Sequence, residues 1–294
     1  MAAVTRTGTL RMPRGAGRRG PWNTVRRHPT AVLGAIILTA MVAMAIFAPY
    51  LGTVDPQKVA PIFRLREPSQ RFWFGTDLLG RDVYSRVLYG ARVSLTVGLG
   101  VAIVATAVGM LLGLVTGFVR LADSIVMRFM DGLMAVPPVL LAIALMALTR
   151  ASLENVILAI AIAEIPRVTR LVRGLVLSLR ELPMVEAAIA SGSGLPSILF
   201  RHILPNTLAP LLVQGTFICA SAMITEAILS FIGAGTPPNI PSWGNIIADG
   251  RSVFQVKPYI IVFPGIVLSL TVLAVNLVGD GLRDALDPRL ARRI

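Results

Sequence analysis

Five stretches of this chain run for about 18 residues or more without a charged side chain, and such runs leave the backbone little choice. They are Ala31–Leu51, Val93–Val119, Gly132–Thr149, Leu204–Thr225 and Tyr259–Val278. In lipid no water satisfies a free amide, so an apolar run of this length must close its hydrogen bonds within itself as a helix. A sixth run, Leu153–Val172, is weaker because Glu154, Glu164, Pro166, Arg167 and Arg170 punctuate it. A hydrophobic content of 55%, with 15% charged residues, excludes an ordinary soluble domain. The pattern predicts an all-α, polytopic membrane protein of about six transmembrane helices. Its parts are a basic tail (1–30), a first span (31–51), a loop (52–92), a five-helix core (93–279) and a C-terminal tail (280–294).

A formal net charge of +13 invites a nucleic-acid reading, but the charges are not placed for one. Residues 1–30 hold Arg6, Arg11, Arg14, Arg18, Arg19, Arg26 and Arg27 and no acid. A polybasic segment just ahead of a span is the mark of a cytoplasmic end and of contact with anionic membrane lipid, not of a nucleic-acid partner. The first span reads as retained rather than cleaved, because Phe47-Ala48-Pro49-Tyr50 offers no small-x-small site. With the N-terminus inside, Lys and Arg fall 18 inside and 10 outside. Seven of those ten lie in the loop 52–92, which strains the positive-inside rule.

Several catalytic classes are excluded. A Walker A loop needs Lys followed by Ser or Thr, yet Lys58 precedes Val59 and Lys257 precedes Pro258. Gly98-Leu99-Gly100 lacks the third glycine of a dinucleotide fingerprint. Two histidines, His28 and His202, and the single Cys219 make no zinc cluster. No Gly-x-Ser-x-Gly elbow is present. No metal site, catalytic residue or cofactor site is expected on this chain.

Two motifs carry more information. Residues 186–192 read Glu-Ala-Ala-Ile-Ala-Ser-Gly, followed after nine residues by His202-Ile203-Leu204-Pro205-Asn206. Residues 74–95 read Phe-Gly-Thr-Asp-Leu-Leu-Gly-Arg-Asp-Val-Tyr-Ser-Arg-Val-Leu-Tyr-Gly-Ala-Arg-Val-Ser-Leu. The first resembles the EAA loop of ABC-importer permeases. The second resembles the GTD-x-x-GRD-x-x-SR-x-x-YGAR-x-SL signature of the "C" permease in peptide and nickel importers. Further matches lie at Val172-Arg173-Gly174, Thr225–Phe231, Pro241-Ser242-Trp243-Gly244 and Gly279–Arg289, so the resemblance covers about His28 to Arg289.

That resemblance implies a type I ABC-importer permease of the bacterial inner membrane, with its N-terminus in the cytoplasm. It implies as partners a homologous permease forming a heterodimer, two ATPase subunits and an extracytoplasmic solute-binding protein. ATP and magnesium would sit on the ATPases. Dipeptides or oligopeptides are the implied cargo, with nickel complexes, haem, opines or glutathione as alternatives. An ion-coupled secondary transporter using Glu226 and Glu164, and a membrane scaffold, are the readings from other classes.

In the resemblance, residues 181–206 form the ATPase-coupling loop, with Glu186, Ala187, Ala188, Gly192, His202, Leu204 and Pro205 as its matching positions. The residues predict a short helix over 181–191, a turn at Gly192-Ser193-Gly194 and a second short helix from Pro196. Ala105, Gly109, Gly113 and Gly117 recur every four residues and predict a close helix-packing face, with a pore-lining face as the alternative. Glu226 lies near the outer end of the fifth apolar run. An ionisable group there either lines a cavity or gate, or holds helices together through a buried hydrogen bond. Glu164 and Arg167 flank Pro166 and are placed to pair across one turn.

Overall fold

A computed structural model describes residues 29–286. The arginines of the basic tail and the chain from Asp287 onward lie outside those residues.

The described chain is helical, and no strand forms in it beyond one isolated bridge between Thr76 and Asp82. Helix α1 spans Pro29–Phe47, α2 Val83–Phe118, α3 Arg120–Met134, α4 Pro138–Ala147 and α5 Leu153–Leu179. Helix α6 is the short Pro183–Ala190, α7 spans Leu204–Ile232, α8 is the short Trp243–Gly250 and α9 spans Tyr259–Leu286. Four helical stretches are long and apolar enough to cross a membrane: Pro29–Tyr50, Val83–Phe118, Leu195–Ile232 and Tyr259–Leu286. Helices α3 and α4, taken together, make a fifth. Helix α5 has 27 residues, long enough to span, but carries the charges that weakened its sequence signal.

The spans differ from the sequence reading in three places, each with a local cause. The run Gly132–Thr149 is not one helix: α3 and α4 meet at a 90° bend. Pro137 and Pro138 impose it, because a residue before proline is pushed out of the helical region, and Pro137 has ψ 134°. Residues 120–131, which lie between two of the apolar runs, are helical, part of an amphipathic α3 that leaves Leu121, Ile125 and Phe129 exposed on one face. Helix α2 begins at Val83 rather than Val93, because Asp82 caps it by accepting from the Ser85 amide at 2.8 Å. Its 36 residues extend to about 54 Å, beyond the ~30 Å hydrocarbon core, so Arg86 and Arg92 need not enter lipid. Pro166 leaves α5 continuous, and Arg167 meets Glu164 at 3.1 Å one turn away.

Helix α5 packs along α2 through the small-residue face. A β-carbon at Gly109, Gly113 or Gly117 would lie 2.5, 2.6 and 2.5 Å from the β-carbons of Val168, Val172 and Val176. The two backbones are therefore as close as glycine allows. We expect Gly113→Val to lower membrane abundance severely, since its β-carbon would overlap Val172 and the Thr169 carbonyl at 2.8 Å. Gly174→Ala, with open space around it, should be neutral by the same immunoblot.

Two apolar clusters divide the bundle. One joins α2, α4, α5 and the chain around 185–203. The other joins α1, the start of α2, α7, α8 and α9 around Trp243.

Candidate functional site

Helix α5 ends at Leu179, and Pro183 starts α6 at a position where its missing amide is harmless. Val185 and Ala188 turn into the core, while Glu186, Ala187, Met184 and Ile189 face out. The helix closes with the Gly192 amide on the Ile189 carbonyl (2.9 Å) and the Ser193 amide on the Ala188 carbonyl (3.0 Å). This is a glycine-terminated helix end, with Gly192 left-handed at φ +78° and nothing within 4 Å of where a β-carbon would stand.

The second half departs from the expected pair of short helices. A single turn, Leu195–Ser197, passes into a π-helical segment, Ile198–Ile203, and then without interruption into α7. Pro205 supplies the cause: its ring would crowd the Arg201 carbonyl in a regular helix, and the wider π turn makes room. The Asn206 side-chain amide donates to the His202 carbonyl at 2.7 Å. Ile198 and Ile203 are buried, Leu204 and His202 partly so, and Phe200 and Pro205 exposed. From Leu195 onward the loop is thus a helical extension of a spanning helix. Its exposed surface combines Glu186, which has no side-chain partner among the described residues, with Met184, Ile189, Leu195 and Phe200. The sequence reading missed that apolar component, although Met184 and Ile189 stand five apart on a helix whose buried pair, Val185 and Ala188, marks the other side.

Glu226 stands at the other end of α7, fully buried. Its Oε1 accepts from Ser230 (2.8 Å), Ser242 (2.8 Å) and Thr236 (3.4 Å). Ser242 caps α8 by accepting from the Asn245 amide at 3.1 Å, and the Asn245 side chain donates to the Thr236, Pro237 and Ile240 carbonyls. One carboxyl therefore fastens the chain between α7 and α8 onto α7. We expect Glu226→Gln to keep this clamp, because the amide oxygen accepts the same hydroxyls. Glu226→Ala leaves buried hydroxyls without an acceptor, a loss of about 1–3 kcal/mol, read as a lower melting temperature in detergent.

At the same end, the 74–95 motif builds a scaffold. Asp77 Oδ1 accepts from the Leu79 and Arg81 amides at 2.8 and 2.9 Å. Its Oδ2 meets Arg81 Nε and Arg86 Nη1, both at 2.6 Å. Both guanidinium groups also reach Asp249 on α8 at 2.8 Å. Gly80, at φ +73°, lies so close to the Ala60 carbonyl that a β-carbon would sit 1.9 Å from it. Trp243 is fully buried, donating from its amide to Ser94 Oγ (3.2 Å) and from its indole to the Val87 carbonyl (3.0 Å). Asp249 was not foreseen; its signal is a lone acid on a helix opposite two buried arginines.

Residues 105–292 match the binding-protein-dependent transport system inner membrane component family. The chain belongs to that family. Residues 19–68 also match the N-terminal transmembrane domain of oligopeptide transport permease C. A probable peptide ABC transporter permease of Sinorhizobium fredii is 54% identical, covering 91% of this chain and 92% of the relative. A dipeptide transport system permease of Alkalihalophilus pseudofirmus is 42% identical over 92% and 90%. A glutathione transport system permease of Pectobacterium atrosepticum is 41% identical over 96% of both. The ABC-importer permease is a multi-pass inner-membrane protein and a transport subunit, not an enzyme. It works with ATPase and substrate-binding partners.

Proposed function

We propose that this permease carries dipeptides or oligopeptides inward, and that residues 183–206 are its mechanical contact with the ATPases. The carrying observation is that α6, beyond its glycine turn, packs on a helical stretch that runs from Leu195 through the π segment into α7. A pull on the exposed α6 face reaches a spanning helix through packed Val185, Ala188, Ile198 and Ile203. ATP and magnesium then act on the partner chains. Closure of an ATPase dimer would draw two such loops together and bias the membrane subunits between two packings. Glutathione is the alternative cargo that a relative's name supports.

A second, homologous permease is placed against the stripe Leu121, Ile125 and Phe129 on α3, an apolar face left exposed beside the bent α4. In this arrangement the N-terminus is cytoplasmic, residues 183–206 face the cytoplasm, and the loop 52–82 and α8 face outward.

Co-reconstitution with a sister permease, ATPases and a binding protein tests the reading. Peptide-stimulated ATP hydrolysis and ATP-dependent peptide uptake are expected, and uptake by this chain alone would refute it. For topology, a cysteine replacing Ser191 should react with an impermeant thiol reagent only from the cytoplasm, and one replacing Gln57 only from outside.

A further inference from the structure

The loop between α1 and α2 holds more positive charge than its own fold uses. Arg81 and Arg86 are neutralised by Asp77 and Asp249, Arg92 donates to the Ala45 and Ile46 carbonyls, and Lys257 pairs with Glu67 at 2.6 Å. Lys257 accordingly holds the Glu67 carboxyl below its usual range through hydrogen bonding and charge. Lys58, Arg64, Arg66 and Arg71 remain, with no carboxylate partner among the described residues. On the outward side of a bacterial membrane, unpaired cations run against the rule that sets topology.

Two of the four converge on one pocket. Lys58 and Arg71 line a surface cavity of about 260 Å³ walled by Phe63, Phe72, Trp73 and Tyr84. Arg71 lies over the Phe63 ring at 4.4 Å and over the Phe72 ring at 5.4 Å, which keeps its guanidinium at the pocket instead of free in water. Trp73 packs on Tyr84 at 4.8 Å, and the Tyr84 hydroxyl donates to the Leu51 carbonyl at 3.0 Å. The one acid in the wall, Asp82, is already engaged at Oδ2 by the Ser85 amide and hydroxyl. Trp73 in the wall is 60% exposed.

We propose that this pocket receives an acidic side chain of the extracytoplasmic binding protein, its carboxylate held between Lys58 and Arg71 and its flank on the aromatic wall. The inference rests on the outward orientation proposed above. A protein carboxylate fits better than a lipid headgroup because the cations sit on a concave, braced surface. Polybasic capture of a membrane needs charge alone. The cavity is also below the usual 300–1,000 Å³ of small-molecule sites. Exposed aromatics, an arginine and a charged centre are the composition of an interface anchor.

The test uses the full complex in nanodiscs, titrated with its binding protein loaded with Ala-Ala while ATP hydrolysis is followed. Lys58→Glu with Arg71→Glu should raise the half-saturating binding-protein concentration at least tenfold and flatten its salt dependence. Hydrolysis without binding protein and the rate at saturation should stay at parental values. Lys58→Gln with Arg71→Gln should give a smaller shift in the same direction. Half-saturation unchanged in both variants, with the parental complex stimulated normally, overturns the pocket assignment and leaves the permease reading standing. A shift seen in phosphatidylglycerol but absent in phosphatidylcholine nanodiscs assigns the cations to lipid and also overturns it. If the parental complex is not stimulated at all, the peptide cargo proposed above falls and takes this inference with it.

Discussion

Gly192→Asp is expected to abolish peptide uptake while membrane insertion and abundance stay near parental. The two halves of that result have separate causes. Within the chain, an aspartate at φ +78° incurs a left-handed strain of about 1–2 kcal/mol, small against a typical stability of ~5–15 kcal/mol. No atom lies within 4 Å of the new β-carbon, so nothing internal must move. In the docking proposed above, the same open space is where the ATPase sits. A side chain there meets the partner, and a second carboxylate joins Glu186 on the same exposed surface. A loss of ~2.7 kcal/mol at that contact weakens docking about a hundredfold. Glu186→Ala should weaken ATPase retention more mildly, because it removes one contact without adding bulk. Gly192→Asn, which tolerates the left-handed conformation and adds no charge, should fall between parent and Gly192→Asp. The measurements are pull-down of the ATPases and uptake, normalised to membrane abundance. Parental uptake and parental ATPase retention in Gly192→Asp would reject the docking role of residues 183–206.

What the sequence made legible follows from what each signal measures. Charge-free runs locate membrane crossings, and α1, α2, α7 and α9 lie where Ala31–Leu51, Val93–Val119, Leu204–Thr225 and Tyr259–Val278 placed them. The same signal is blind to helix that continues past the lipid, so it lost the first turns of α2 at Val83 and the last of α9 at Leu286. It is blind as well to an amphipathic helix such as α3, whose charges interrupt the run while Arg170 and Arg173 of α5 pair with Asp131 and Asp123 on it. Pro137-Pro138 was visible but sat inside an apolar run, and length outweighed it. In the coupling loop the glycine turn was readable because left-handed backbone favours glycine. The seamless entry into α7 was not, because a π turn ahead of Pro205 has no composition of its own. Asp249 stands 168 and 163 positions from its partners Arg81 and Arg86, and Ser242 stands 16 from Glu226; no local pattern encodes those pairings.

The second large effect is expected at that long-range network. Asp77→Ala removes a carboxylate that is fully buried and bonded to two arginines, one of them, Arg86, with its side chain 1% exposed. Asp249 alone would then face both guanidinium groups, leaving one uncompensated positive charge in a buried site. Removing one member of a buried ion pair typically costs about 3–5 kcal/mol. Asp77→Ala also frees the Leu79 and Arg81 amides that Oδ1 accepts. Asp77→Asn keeps an oxygen for those amides and loses only the charge, so it should be milder but still destabilised. The deciding variant is Asp77→Asn combined with Arg86→Met. It removes one charge of each sign and leaves Arg81 paired with Asp249 at 2.8 Å. Because the buried site is again balanced, the double variant should melt higher than Asp77→Asn alone. Melting temperature in detergent and membrane abundance are the readouts, with no partner subunit required. If Asp77→Ala melts with the parent, or the two substitutions add independently, the four residues do not act as one charge-balanced unit. The outer scaffold would then be held by its backbone turns, the Gly80 contact with Ala60 and the buried Trp243 instead.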